Sequence, residues 1–186
     1  DMKALTDYIH SKGLRAGIYT SPGPLTCAGH IGAYKFEEQD IARFVEWGYD
    51  FLKYDWCSYS DYGRTDTLPD LQKPYILISN IIKKQKRDLI LNYCQYGMGD
   101  VWKWGKETGG QSWRTAGDLG GSFDDIGKAL FRDGFDVYST DSLHLYAGPG
   151  AWNDPDYLLI GYLSNWNGET VPTPLTPNEQ YTQVTL

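Results

Sequence analysis

The chain has 186 residues, 41% of them hydrophobic and 22% charged, enough apolar material for one globular core and a poor match to a disordered chain. A formal net charge of −7 and a pI near 4.9 weigh against nucleic acid or an anionic membrane as the partner. No apolar run reaches the roughly 20 residues of a membrane span, and the abundant Trp and Tyr suit either a core or the flat faces of a sugar.

In chain order, Met2, Leu5, Tyr8 and Ile9 recur at helical spacing, and Gly13 stands where a helix stops. Residues 14–19, LRAGIY, predict a strand, followed by a Pro- and Gly-rich loop over residues 20–33. Phe36, Ile41, Phe44 and Val45 predict a helix closed by Gly48, and YDFLKY (49–54) a second strand. A helix is expected from Pro74 to Lys86, a strand from Leu89 to Cys94, and a short helix from Val101 to Lys106. The segment QSWRTA reads as the next strand. Phe123, Ile126, Leu130 and Phe131 mark a further helix, and after a long, less periodic stretch AWNDPDYLLIG is strand-like.

Strands alternating with helices imply parallel βαβ units, either in a doubly wound sheet or in a barrel. No GxGxxG or GxxxxGK[ST] follows a strand, which removes the common nucleotide-binding reasons for a doubly wound sheet. Polar residues gather at the strand C-terminal ends: Tyr19, Lys53 with Asp55, Gln95, Arg114 with Asp118, and Asn153 to Asp156. A (β/α)8 barrel directs those ends at its active site, and it needs about eight strands where roughly five βα units are visible. The expected fold class is therefore α/β, a fragment of a (β/α)8 TIM barrel with its first and last strands missing. Residues 1–186 read as one partial catalytic domain, truncated at both ends.

Lys53 and Asp55 lie two residues apart at a strand end, so their side chains point the same way. Two carboxylates across a cavity, here Asp55 and Asp118, are the equipment of glycoside hydrolysis. A lysine beside Asp55 holds it ionised, as a nucleophile needs, whereas an acid such as Asp118 must keep its proton until it acts. His10, His30 and His144 show no ligand spacing and read as surface or loop residues, so no metal and no cofactor are expected. Cys27, Cys57 and Cys94 form no CxxC pair. Their spacing fits one bridge plus a free thiol, or three buried thiols.

Four segments carry a resemblance to a known family: HSKGLRAGIYTSPGPLTCAG (10–29), DFLKYDWC (50–57), SWRTAGD (112–118) and GPGAWNDPDYLLIG (148–161). In order and spacing they are similar to the third-strand region, the nucleophile strand, the acid/base segment and the Trp-Asn-Asp-Pro-Asp signature of glycoside hydrolase family 27. This is the α-galactosidase and α-N-acetylgalactosaminidase group. The resemblance implies a retaining glycosidase with Asp55 as nucleophile and Asp118 as acid/base. It implies that Tyr19, Lys53, Gln95, Arg114, Trp152 and Asp156 line the sugar pocket, Trp152 as part of its wall. It also implies a Cys27–Cys57 disulfide, hence an extracellular, periplasmic or lysosome-like compartment, and leaves Cys94 free.

The implied partner is a carbohydrate with a terminal galactose or a similar sugar. An α-N-acetylgalactosaminide, a β-L-arabinopyranoside or an α-glucan are alternatives on the same scaffold, and a non-catalytic sugar-binding fragment is another. The chain departs from the family pattern in two places. Cys94-Gln95-Tyr96 stands for Cys-Glu-Trp, where the family's glutamate reads the sugar 2-hydroxyl, and Tyr157 stands for Met. The family's first two strands, with a Trp and an Asp pair that grip the 4- and 6-hydroxyls, are not among these residues.

Overall fold

The computed structural model describes residues 1–131, 143–165 and 167–185. Part of the less periodic stretch before AWNDPD lies outside them.

Strands β1 (Gly17–Thr20), β2 (Phe51–Tyr54), β3 (Ile90–Tyr93), β4 (Ser112–Arg114) and β5 (Trp152–Asp154) form one parallel sheet in sequential order. Helices α1 (Met2–Ser11), α2 (Glu37–Trp47), α3 (Leu68–Lys83), α4 (Val101–Thr108) and α5 (Phe123–Phe131) lie between or before them in the chain. This is the βα repeat of a barrel wall. An antiparallel ribbon, β6 (Tyr162–Ser164) with β7 (Thr170–Pro172), and helix α6 (Pro177–Thr185) follow. The periodicity of the sequence did not indicate the ribbon. Its strands have only three residues each, too few for a pattern to declare itself. Among the described residues, no helix is long and apolar enough to cross a membrane.

The elements start and stop where local chemistry dictates. Asp1 caps α1 by accepting from the Lys3 and Ala4 amides. Gly48 ends α2 at φ 90°, a left-handed conformation that costs glycine little. Helix α3 begins at Leu68 rather than at the expected Pro74. Thr67 and Asp70 form a reciprocal capping box there, and Pro74 sits inside the helix. The cap fixes the start, and Pro74 is a buried residue within the helix.

Alternation along the strands divides the sheet into two faces. Leu52 and Tyr54 on β2, Leu91 and Tyr93 on β3, and Trp113 on β4 are all buried in the core with residues of α2, α3 and α4. Tyr75 of α3 is the hub of an aromatic group, with ring centroids 4.4 Å from Tyr93, 5.9 Å from Tyr54, 6.0 Å from Trp56 and 6.2 Å from Trp104. These aromatics serve the core and not a sugar platform. A second, smaller core holds Leu119, Ile126, Ala129, Leu159 and Leu175.

A polar cluster ties the opposite ends of the strands. Buried Asp50, just before β2, accepts from the Ala16 amide at 2.9 Å, pairs with His10 Nε2 at 2.7 Å and with Arg15 at 3.3 Å, and bonds Arg87. Arg87 also donates to the Gly48 and Tyr49 carbonyls. His10, expected to be a plain surface or loop histidine, is therefore half-buried and engaged. Burial disfavours the Asp50 carboxylate, but the Ala16 amide, His10 and Arg87 outweigh it and hold Asp50 well below the usual carboxylate range.

Asp50→Ala is expected to lower the unfolding free energy by about 2–3 kcal/mol near pH 7, measured by urea denaturation. A depressed folded-state value means that the contribution is present above the unfolded carboxylate value of about 3.9 and is lost as pH falls toward the folded value. Equal losses at neutral and strongly acidic pH would show that the charge plays no part.

Candidate active site

The site lies at the C-terminal ends of the parallel strands. A cavity of about 270 Å³ is lined by Tyr19, Lys53, Asp55, Cys94, Tyr96, Arg114, Asp118, Asp156 and Tyr157, with Cys27 and Ala28 at its wall. Lys53 on β2 and Asp55 just past it are two residues apart, as are Cys94 and Tyr96 past β3. Odd-numbered positions of β2 and even-numbered positions of β3 share the face turned away from the helices.

Asp55 is buried and both of its carboxylate oxygens are hydrogen-bonded. Oδ2 accepts from the Tyr19 hydroxyl at 2.8 Å. Oδ1 accepts from the Tyr96 hydroxyl at 2.8 Å and from the Trp56 amide at 2.7 Å. Its backbone is also held, for the Asp55 amide donates to Thr20 O at 2.9 Å and the Tyr75 hydroxyl donates to Asp55 O at 3.2 Å. Lys53 stands in the same cavity, and the hydrogen bonds described for the Asp55 carboxylate come from the two phenols, the Trp56 amide and the Cys94 thiol.

Burial, then the bond to Asp55, raise the Tyr19 phenol above its ordinary range, and the same two causes raise Tyr96. Both therefore act as neutral donors. Burial and the Asp55 charge push the Cys94 thiol up to about 12, so it too stays protonated.

On the other side of the cavity Arg114, only 1% exposed, holds two carboxylates. Its Nη1 lies 2.9 Å from Asp156 Oδ1 and 3.2 Å from Asp118 Oδ1. Asp156 also accepts from the Leu119 amide at 3.0 Å. Burial raises Asp156 above its ordinary value, opposed by that amide and by Arg114. The Asp118 side chain is 66% exposed, open to solvent at the rim. Asp154 instead braces the sheet, where Asn92 Nδ2 donates to its Oδ2 at 2.9 Å.

Two expected pocket residues lie elsewhere. Gln95 is 1% exposed and points into the protein, its Nε2 donating to Met98 O at 2.8 Å. It lies past the end of β3 in a turn that the left-handed Tyr96 helps to form, and its side chain closes that turn from inside. Trp152, 54% exposed, starts β5 opposite Ser112, a tier below the Arg114–Asp154 pair, and is not among the cavity-lining residues. Cys94 and Tyr96 line the cavity although neither was among the expected site residues, and it is Tyr96 that bonds Asp55 through its hydroxyl. Its only signal was spacing, for it stands two residues beyond Cys94 as Asp55 stands beyond Lys53.

Cys27 and Cys57 are joined, with Cα atoms 5.1 Å apart, and Cys94 is a buried free cysteine. The Cys57 sulfur lies 3.4 Å from the Tyr19 hydroxyl and 3.8 Å from that of Tyr96. Among the described residues, Cys27, Asp55 and Cys57 bring three ligand-type atoms within 4.8 Å. Two of these are bonded sulfurs rather than thiolates, so the group is a bridge beside a carboxylate and not a metal set.

A parallel β/α wall with carboxylates and a buried arginine gathered at the strand C-terminal ends is the architecture of barrel enzymes that act on polar substrates. The sequence profile of the family described as Alpha galactosidase A matches residues 1–171, and the chain belongs to this family, the α-galactosidases of glycoside hydrolase family 27. It is 36% identical over 169 residues to Alpha-galactosidase A of Cellvibrio japonicus, covering 86% of this chain and 39% of the relative. It is 38% identical over 161 residues to Alpha-galactosidase of Oryza sativa, covering 86% of this chain and 35% of the relative. The chain thus spans under two-fifths of the length of these relatives.

Among solved structures, alpha-galactosidase I from Mortierella vinacea is similar at a TM-score of 0.72 and 32% identity, covering 86% of this chain and 43% of that one. The α-galactosidase of Saccharomyces cerevisiae with raffinose has a TM-score of 0.72 and 28% identity over 86% of this chain and 38% of that one. A β-L-arabinopyranosidase from Geobacillus stearothermophilus shares the fold at a TM-score of 0.74 and 19% identity, covering 99% of this chain and 48% of that one.

Replacing Cys27 and Cys57 together by serine is expected to lower stability by about 3–4 kcal/mol, the loop-closure contribution for a bridge spanning 30 residues. Denaturation of parent and variant in oxidising buffer measures it. A double variant as stable as the parent removes the bridge from the account.

Proposed function

We propose that residues 1–186 form part of the catalytic (β/α)8 domain of a retaining glycosidase that removes terminal α-D-galactosyl residues from oligosaccharides or glycoconjugates. The observation that carries this reading is the buried Asp55 carboxylate, aimed into the cavity by three hydrogen bonds and facing the Arg114–Asp118–Asp156 group. Membership of the α-galactosidase family and the likeness to an α-galactosidase structure with raffinose support the sugar class.

In this reading Asp55 attacks the anomeric carbon and forms a glycosyl ester, while Asp118 gives its proton to the departing oxygen. Water then attacks the same carbon, Asp118 takes the water's proton, and Asp55 leaves as a carboxylate. Lys53 and Arg114 donate hydrogen bonds to sugar hydroxyls, and Asp156 accepts one. Tyr19 works through Asp55. The exposure of Asp118 suits a group that must exchange its proton with water between the two steps. No cofactor enters this scheme. The Cys27–Cys57 bridge supports residence in an extracellular, periplasmic or lysosome-like oxidising compartment.

In the full-length enzyme, Asp55→Asn is expected to reduce cleavage of an aryl α-galactoside by about 10⁴-fold or more without unfolding the protein. Retained activity would remove Asp55 as nucleophile. A panel of aryl glycosides is expected to give the highest kcat/KM for the α-galactoside. Preference for the β-L-arabinopyranoside, the α-N-acetylgalactosaminide or an α-glucan would keep the chemistry and change the sugar.

A further inference from the structure

The hydrogen bonds to Asp55 are unequally shared between its two oxygens. A carboxylate oxygen offers two lone-pair sites in the plane of the group. Oδ1 has both filled, by the Trp56 amide at 2.7 Å and the Tyr96 hydroxyl at 2.8 Å. Oδ2 accepts one strong bond, from the Tyr19 hydroxyl at 2.8 Å, and the weakly donating Cys94 thiol is the carboxylate's other side-chain partner among the described residues.

The segment after β3 is shaped to deliver that second donor to Oδ1. Tyr96 has φ 64°, a left-handed conformation that a bulky residue adopts at a cost and keeps only where its surroundings enforce it. Gly97 follows at φ 82°, and a Cβ there would lie 2.3 Å from Thr115 O, so the chain can pass this close to the end of β4 only as glycine. Gln95 locks the turn from inside through Met98 O. The Tyr96 hydroxyl is further confined by the bridge sulfurs, 3.7 Å from Cys27 and 3.8 Å from Cys57.

We infer that Tyr96 is a positioning residue for the nucleophile. It occupies Oδ1 and leaves Oδ2 as the oxygen that attacks. The inference rests on the reading of Asp55 as the nucleophile and goes beyond it by assigning the reacting atom and the step that Tyr96 governs. In the first step an Oδ2 lone pair forms the bond to the anomeric carbon. The glycosidic C–O bond breaks toward the departing oxygen, which takes the proton of Asp118. Oδ1 becomes the carbonyl oxygen of a neutral ester. In the second step water adds to the anomeric carbon and gives its proton to Asp118. The C–Oδ2 bond breaks, and its electron pair returns to Asp55. Negative charge reappears on the carboxylate, and the bond from Tyr96 strengthens as its acceptor changes from neutral to ionised. Tyr96 therefore contributes most to breakdown of the glycosyl-enzyme.

The test is Tyr96→Phe in the full-length enzyme, assayed on an aryl α-galactoside with a good leaving group. The expected result is a fall in kcat of about 10- to 100-fold, the worth of one hydrogen bond to a charged group. KM falls with it, and kcat/KM changes less. Mass spectrometry of the intact protein during turnover shows a glycosyl adduct accumulating on the variant. Loss of stability alone would not produce that adduct. A variant with parental kcat and no accumulation overturns the inference. Its failure is distinct from failure of the nucleophile assignment, in which the adduct is absent from Asp55 or Asp55→Asn stays active.

A structure of the parent enzyme trapped with a fluorinated galactosyl fluoride decides the matter without any variant. The ester is expected on the oxygen facing Tyr19, with Tyr96 and the Trp56 amide on the carbonyl oxygen. An ester on the oxygen facing Tyr96 overturns the assignment.

Discussion

The two-residue period of a strand, set against helices that cover one face of a parallel sheet, governs everything else in this chain. Leu52, Tyr54, Leu91, Tyr93 and Trp113 must face the helices because their apolar surface has nowhere else to be buried. Their neighbours must then face the other way. Lys53 and Asp55 thus share a cavity with Cys94 and Tyr96, and Arg114 reaches the same space. Packing on one side of the sheet dictates chemistry on the other. The aromatic group around Tyr75 makes the link explicit, since its hydroxyl holds the Asp55 carbonyl from the core side.

Polar interactions at the two ends of the strands differ in kind. Around Asp50 two arginines, a histidine and a backbone amide converge on one buried carboxylate and join α1, β2 and the segment ahead of β3. The bonds there satisfy the carboxylate and close the fold. At the far end Asp55 takes its donors from neutral phenols, and Arg114 is divided between Asp118 and Asp156. The disulfide lies against both phenols, so the loop after β1 and the loop after β2 are set relative to Asp55 by a covalent link.

Much of this was legible in the sequence. Apolar spacing with Gly13 and Gly48 gave the first βα units, and charges two residues apart at a strand end marked Asp55. The start of α3 was missed because Pro74 looked like a boundary, whereas the capping box six residues earlier sets it. Gln95 and Trp152 were placed in the pocket by resemblance. Gln95 and Tyr96 sit in the turn after β3, where the left-handed Tyr96 and the buried Gln95 bond to Met98 O decide which side chain reaches the cavity, a geometry that spacing alone does not reveal. Trp152 has the right parity and the wrong height, and height depends on the stagger of the strands, which one strand's sequence does not encode. The short ribbon β6–β7 was hidden for want of length.

The position of the Asp50 cluster has a consequence for how such a chain can diverge. Each strand it joins is anchored at the end remote from the cavity by polar bonds, while the open end is tied covalently by the Cys27–Cys57 bridge. Gln95, Tyr96 and Tyr157, where the chain departs from the usual family pattern, all lie at that open end. Substitution of Tyr96 or Tyr157 there changes the lining of the cavity and leaves the Asp50 cluster untouched.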